Sequence, residues 1–369
     1  MRLLRLYLPR RHPHCAIRAR GQDRAAPKKI LKERCPVQEQ LHSTTPVALP
    51  DQLTVAASPH EKSRTHVPHL MRDVLIALMP ACLFGIFWFG WQAALLCVVS
   101  VTTCVAAEYL YQRLLHRPIT VRDGSAAVTG LLLAMNLPYT FPLPMLIVGD
   151  LFAILVVKQL FGGLGKNIVN PALAARVFLF SSFPAAMAGF PARPGLGSSY
   201  ADAVATATPL SLLKEGGVTE FSVTDLFFGT TGGCIGEVSA LLLLVGGVYL
   251  LCRRVITWHI PASYLGTVAI LTLLFPRADG RLESMLLELC AGGLMLGAFF
   301  MATDYVTSPV TRGGRLLFGA LCGAITVLIR YFGAYPEGVS FAILIGNLLV
   351  YYLDKFTRPT PFGKRRAKK

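Results

Sequence analysis

The sequence predicts an all-α, polytopic membrane protein with about ten transmembrane helices. Three observations predict it. First, the chain is 53% hydrophobic and only 15% charged, with mean hydropathy +0.53. Soluble domains carry about 25% charged residues. Second, ten apolar segments follow one another, at 74–90, 91–115, 125–138, 142–162, 170–190, 230–252, 255–276, 284–303, 316–333 and 339–355. Several approach the ~20 residues that cross a bilayer. Third, the formal net charge of +16 is concentrated at the two ends and in alternate short loops. That is the pattern of topology determinants and anionic-lipid contact. No nucleic-acid recognition motif accompanies the charge, so nucleic acid is not an expected partner.

Taken in order, residues 1–50 are rich in Arg, Lys, His, Pro and Gln and hold no signal-peptide core. They read as a basic, disordered extension, or as the product of a start set too far upstream. Residues 51–73 form a polar cytoplasmic lead-in, and 74–190 hold the first five spans. The third span, "SAAVTGLLLAMNLP", is short and ends at Pro138. Broken spans of this kind place non-helical backbone around a site. Residues 191–229 interrupt the apolar pattern with a small, polar loop. Residues 230–355 hold five more spans, and 356–369 a basic tail. Arg113, Arg117, Arg122, Lys166, Arg253, Arg254, Arg312 and Arg315 fall on one side of the membrane with both termini. The positive-inside rule makes that side cytoplasmic and puts 191–229 outside.

A faint duplication relates "VVKQLFGGLGKNIVNPAL" (156–173) to "TVLIRYFGAYPEGVSFAIL" (326–344). An offset of five helices requires the two halves to be inverted.

Ionisable residues inside spans are costly and face the bundle interior. Here they are Glu108, Asp150, Lys158, Arg176, Glu237, Glu288 and Arg330. Lys158 and Arg330 are long enough to snorkel to an interface. Asp150, mid-span, pairs with Lys158 or Arg176, or belongs to an ion path with Glu108. Asn167 and Asn170 are three apart and share a face in a helical turn, where two amides suit a planar heterocycle. Alternatively, Asn170 caps the helix that Pro171 begins. "MATDYVTSPVTRGGR" (301–315) is a second polar loop, suited to an anion or to an ordinary basic turn. The nine cysteines form no C-x-x-C pair and mostly lie in apolar runs. No metal or iron–sulfur site supplied by this chain alone is expected.

Four segments carry a resemblance: "DGSAAVTGLLLAMNLP" (123–138), "KQLFGGLGKNIVNPALAARVFL" (158–179), "FMATDYVTSPVT" (300–311) and "IRYFGAYPEGVSFAILIGN" (329–347). They occur in order, and residues 53–363 resemble the RnfD/NqrB family. These are membrane flavoprotein subunits of the ion-translocating Rnf complex and of the sodium-pumping NADH:quinone oxidoreductase. The resemblance implies two inverted five-helix halves in a bacterial inner membrane. It also implies FMN esterified through phosphate to a threonine in the pattern D-x-x-[S/T]-G-A-T. In "DAVATATPL" (202–210), Asp202, Ala207 and Thr208 match. Ala205 replaces the Ser/Thr, and Thr206 replaces the glycine. Thr208 is therefore the expected flavin-bearing residue and Thr206 its competitor. Without the resemblance this stretch reads as a linker.

The resemblance further implies riboflavin near Asn167 and Asn170, a flavin transferase for maturation, and other membrane and peripheral subunits as partners. The expected function is a redox relay, not catalytic alone, coupled to Na⁺ or H⁺ movement. The "ATPL" ending and the lack of a long folded extension favour the Rnf branch. The alternatives are the NqrB-type subunit of the quinone-reducing enzyme, or an inverted-repeat channel without redox chemistry. A chain started near residue 50 is expected to insert and acquire flavin as the full chain does, measured by membrane fractionation and in-gel flavin fluorescence.

Overall fold

The computed structural model describes residues 66–188, 210, 214, 223–229, 233–277, 280–333 and 337–359. The 1–50 extension, the 51–65 part of the lead-in, Asp202, Thr206, Thr208 and the tail from 360 lie outside the described residues.

Among the described residues every regular element is helical. In chain order these are α1 (Val67–Phe89), α2 (Trp91–Leu114), α3 (Ser125–Met135), α4 (Leu143–Leu151), α5 (Pro171–Ser182) and α6 (Pro184–Ala188). They continue with α7 (Val223–Phe228), α8 (Ala240–Cys252), α9 (His259–Leu274), α10 (Arg281–Cys290), α11 (Leu294–Leu296), α12 (Arg312–Phe332) and α13 (Val339–Thr357). Each of the ten apolar segments contains a helix, but their lengths differ. Among the described residues only α1, α2, α12 and α13 are long and apolar enough to cross a bilayer by themselves. A fifth crossing forms if α10 and Leu294–Met301, bent by 64° at their break, act as one span. The protein is therefore a multi-pass membrane protein. Its outward faces agree: Leu83 is 55%, Phe87 75% and Phe332 85% exposed, large apolar surfaces suited to lipid rather than water.

Local chemistry explains the ends. Gly90 joins α1 to α2 at φ +82°, a conformation open to glycine and strained for other residues. Asn170 caps α5, accepting from the Ala172 amide, with Pro171 in the first turn. Thr311 caps α12 through the Gly314 amide.

Two π-helical stretches interrupt the α-pattern. One, Phe152–Gln159, continues α4; the other, Gly297–Met301, continues α11. Such wide turns recur at functional sites. The span read over 230–252 is instead a 13-residue helix preceded by irregular chain. That irregular chain is satisfied by carbonyls at the end of α3 and just beyond it: Ile235 N donates to Leu137 O at 3.1 Å and Gly236 N to Met135 O at 2.7 Å. Non-helical backbone survives at membrane depth only when protein supplies such partners. Likewise, the span read over 170–190 breaks at Phe183 into α5 and α6.

In the first half α2 lies along α3 and α4, and in the second α9 lies along α10 and α12. The halves meet where α1 packs on α8 and α5 on α13. At Gly130 in α3 an added Cβ would stand 2.8 Å from the Ser100 carbonyl oxygen and 3.0 Å from the Val101 Cα. Those are backbone atoms that no rotamer change can move. Gly130→Ala is expected to lower stability by about 1–3 kcal/mol through overpacking, measured as a lower melting temperature in detergent.

Candidate functional site

Three networks of buried charge occupy the interior. In the first half, Lys158 Nζ donates to Glu108 Oε2 at 2.9 Å and to Ser125 Oγ at 2.6 Å. Gln159 donates to Glu108 Oε1 at 2.7 Å. Glu108 is 0% and Lys158 2% exposed. In the second half, Arg330 donates to Glu288 Oε2 at 2.8 Å, and Arg277 stands 3.8 Å from Glu288 Oε1. Arg330 also donates to the carbonyls of Glu288 at 2.6 Å and Ala291 at 3.0 Å. Those are carbonyls at the end of α10 that lack helical partners. Neither Lys158 nor Arg330 snorkels, because each has a buried carboxylate within reach.

The third network joins the halves. Arg176 of α5 donates to Ser340 Oγ of α13 at 2.7 Å and forms a close ion pair with Glu337. Glu237 lies 3.8 Å from the same guanidinium, and Cys234 Sγ 3.9 Å. Cys234, Glu237 and Glu337 bring potential ligand atoms within 4.8 Å of one another, a grouping that sequence spacing does not reveal. The Arg176 guanidinium already supplies positive charge there.

Asp150 pairs with neither Lys158 nor Arg176, since both are committed elsewhere. It is 0% exposed. Its Oδ1 lies 2.6 Å from Ser100 Oγ and 3.3 Å from Cys104 Sγ, and its Oδ2 is buried without a partner.

Asn167 and Asn170 line one cleft but from a loop, not from a shared helical turn. Asn170 is committed to structure. Beyond capping α5, its Nδ2 donates to Met301 O at 3.2 Å. Asn347, its amide turned to satisfy both ends, accepts from Asn170 N at 3.2 Å and donates to Thr307 O at 3.1 Å. Asn167 differs: its Nδ2 donates to Val169 O, while its Oδ1 is buried and unpartnered. The cleft holds about 770 Å³ of non-atom space, open solvent included, and Ser125, Thr129, Lys158, Thr303 and Asp304 also line it. In the 301–315 loop, Arg315 is spent on Pro309 O at 3.0 Å and Thr257 Oγ1 at 3.2 Å.

Thr208 lies outside the described residues, but Leu210, two positions on, is 2% exposed. Its Cδ1 fills the space a Cβ would need at Gly292, which has φ +70° at the α10–α11 break.

Fold and site together define a multi-pass membrane protein with broken helices and with paired buried charges inside and between two helical halves. The chain belongs to the NQR2, RnfD, RnfE family, whose pattern it matches over residues 54–363. It is 46% identical over 320 residues to the D subunit of the Na⁺-translocating ferredoxin:NAD⁺ oxidoreductase complex of Acetobacterium woodii, covering 86% of this chain and 97% of that one. It is 43% identical over 323 residues to the proton-translocating counterpart from Clostridium ljungdahlii, covering 85% and 97%. The D subunit of the ion-translocating oxidoreductase complex of Escherichia fergusonii is 36% identical over 348 residues, covering 85% and 99%.

Lys158→Met leaves the Glu108 carboxylate buried and unpaired. A loss of about 3–5 kcal/mol is expected, read by thermal unfolding in detergent, and Glu108→Gln in the same chain should recover most of it.

Proposed function

We propose that this chain is the membrane flavoprotein subunit of an Rnf-type, ion-translocating oxidoreductase, with FMN joined by a phosphoester to Thr208. The observation that carries the reading is the similarity to the D subunits of two ferredoxin:NAD⁺ oxidoreductase complexes over 97% of their lengths. The Asp202…Ala207-Thr208 pattern agrees with it. A flavin supplies one- and two-electron transfer when bound, while protein sets its position and potential.

The chain's own residues have distinct parts in this reading. Small residues beside Thr208 in the sequence, Ala205 and Ala207, suit a hydroxyl that a flavin transferase has to reach. Burial of Leu210 at the α10–α11 break supports a tethered loop, since two residues reach at most about 7 Å. On this reading the flavin is attached two residues before Leu210, whose side chain packs beside Gly292, where Arg330 and Glu337 are the charged neighbours. Asn167 suits a second flavin, riboflavin: its orphaned Oδ1 accepts an imide N–H. Asn170 acts only by holding the cleft together. Glu108 and Asp150 form the ion path.

We read the ten helical segments as ten membrane passes in two inverted five-helix halves. The matching neighbours of α2 and α9 support this. Both termini are cytoplasmic and the Thr208 loop extracytoplasmic, in a bacterial inner membrane. Other subunits bind NAD⁺ and ferredoxin, for this sequence carries no G-x-G-x-x-G and no four-cysteine ferredoxin spacing.

After denaturing electrophoresis, the full chain co-expressed with a flavin transferase should give a fluorescent flavin band. Thr208→Ala should abolish it and Thr206→Ala should leave it; the opposite result moves the ester to Thr206, and no wild-type band removes the reading. Asn167→Leu should keep the band while lowering the flavin released on denaturation.

A further inference from the structure

α2 carries a polar residue at every fourth position: Ser100, Cys104, Glu108 and Gln112. Four-residue spacing places them on one helical face. All are buried, at 0, 0, 0 and 3% exposure. Helix packing alone asks only for apolar residues there. Each has a polar partner. Gln112 donates to Thr120 Oγ1 at 2.8 Å, Glu108 holds Lys158 and Gln159, and Cys104 and Ser100 face Asp150. At one end the seam meets an open cleft, where Gln112 and Gln159 are joined by Arg117, Arg122 and Gly162. At the other it stops at Asp150. Three turns separate the ends, about 18 Å.

The hydrogen count at Asp150 is decisive. Ser100 has one hydroxyl hydrogen and two acceptors, Gly130 O at 2.8 Å and Asp150 Oδ1 at 2.6 Å. An ionised Asp150 leaves one of these contacts without a hydrogen. It also leaves an anion without a cation. With a proton on Oδ1, Asp150 donates to Ser100 Oγ and Ser100 donates to Gly130 O, so both contacts become hydrogen bonds.

The surroundings hold no compensating cation. α2 presents Ser100 and Cys104, α3 presents the Gly130 carbonyl, and α5 presents Leu179 beside Gly149. Lys158 is two turns further along and paired with Glu108. Among the described residues no Lys, Arg or His forms an ion pair with Asp150.

We propose that Asp150 holds a proton as a neutral carboxylic acid, and that the Gln112–Glu108–Cys104 face of α2 is its route of exchange with the open cleft. On loading, the Glu108 carboxylate takes up a proton that enters from the cleft. Cys104 gives its S–H proton to the ionised Asp150 Oδ1, and Glu108 passes its proton to the Cys104 sulfur, so that Glu108 and Cys104 end as they began. One proton moves inward and no electron moves; discharge reverses the step. The purpose of this site rests on the ion-coupled reading above, but its existence does not. A covalent flavin is read on a gel, and a carboxyl proton in the infrared.

The test is infrared difference spectroscopy on the full chain in detergent, during exchange from H₂O to D₂O. Wild type should have a protonated-carboxyl C=O band that Asp150→Asn lacks. Ser100→Ala, which keeps the acid, should shift the band, so the assignment survives if Asp150→Asn does not accumulate. The charge-balanced Glu108→Gln/Lys158→Met variant should retain the band but slow its deuterium shift on the order of a hundredfold. Identical spectra for wild type and both single variants would mean an ionised Asp150. An unchanged exchange rate in the double variant would remove the route. Loss of the band on adding Na⁺ at fixed pH would make Asp150 a metal-cation site. Each of these overturns the proposal.

Discussion

An unpaired charge or an unsatisfied backbone group within a bilayer costs several kcal/mol, and most of the interior answers to that cost. Glu108 is tolerable because Lys158 and Gln159 reach it, and Arg330 because Glu288 and two carbonyls receive it. Arg176 serves the same end between the halves, tying α5 to α13 through Ser340 and Glu337. Removing one partner from such a set is far more harmful than removing both, because the survivor keeps its desolvation penalty.

The same constraint shapes the broken helices. The turn between α10 and α11 would expose carbonyls at membrane depth; Arg330 supplies their donors, and Gly292 supplies the left-handed backbone. The irregular chain before α8 borrows the free carbonyls at the end of α3. These interruptions leave room for sites. The asparagine-lined cleft lies where the loop before α5 meets the π-helical end of α11, and Leu210 packs at the α10–α11 break.

Electron carriers and moving ions make different demands on one bundle. In the proposed reading a flavin tethered at Thr208 draws its fixed anchor from Leu210, which is buried beside Gly292. Ion movement needs groups that change charge without unfolding the bundle. Asp150 is suited to that, because it has hydrogen-bond partners but no fixed counter-ion. In the proposed reading the two functions fall on different parts of the chain, the sequence around Thr208 and the α2–α4 interface.

The sequence by itself determined the helical class, the positions of ten helical segments, the family, and the residues that had to be explained. Apolar run length and ionisable residues in apolar surroundings are local properties, legible without a fold. The face of α2 was equally legible as a four-residue spacing, though serine, cysteine and glutamine carry too little polarity to mark it against an apolar background. Tertiary structure decided the pairings, since Glu108 meets Lys158 across 50 residues and Arg176 meets Glu337 across 161. It also separated Asn167 from Asn170, giving one a free oxygen and the other a cap. It assigned no cation to Asp150. Charge compensation depends on distances between helices, and no pattern along one chain segment encodes those distances.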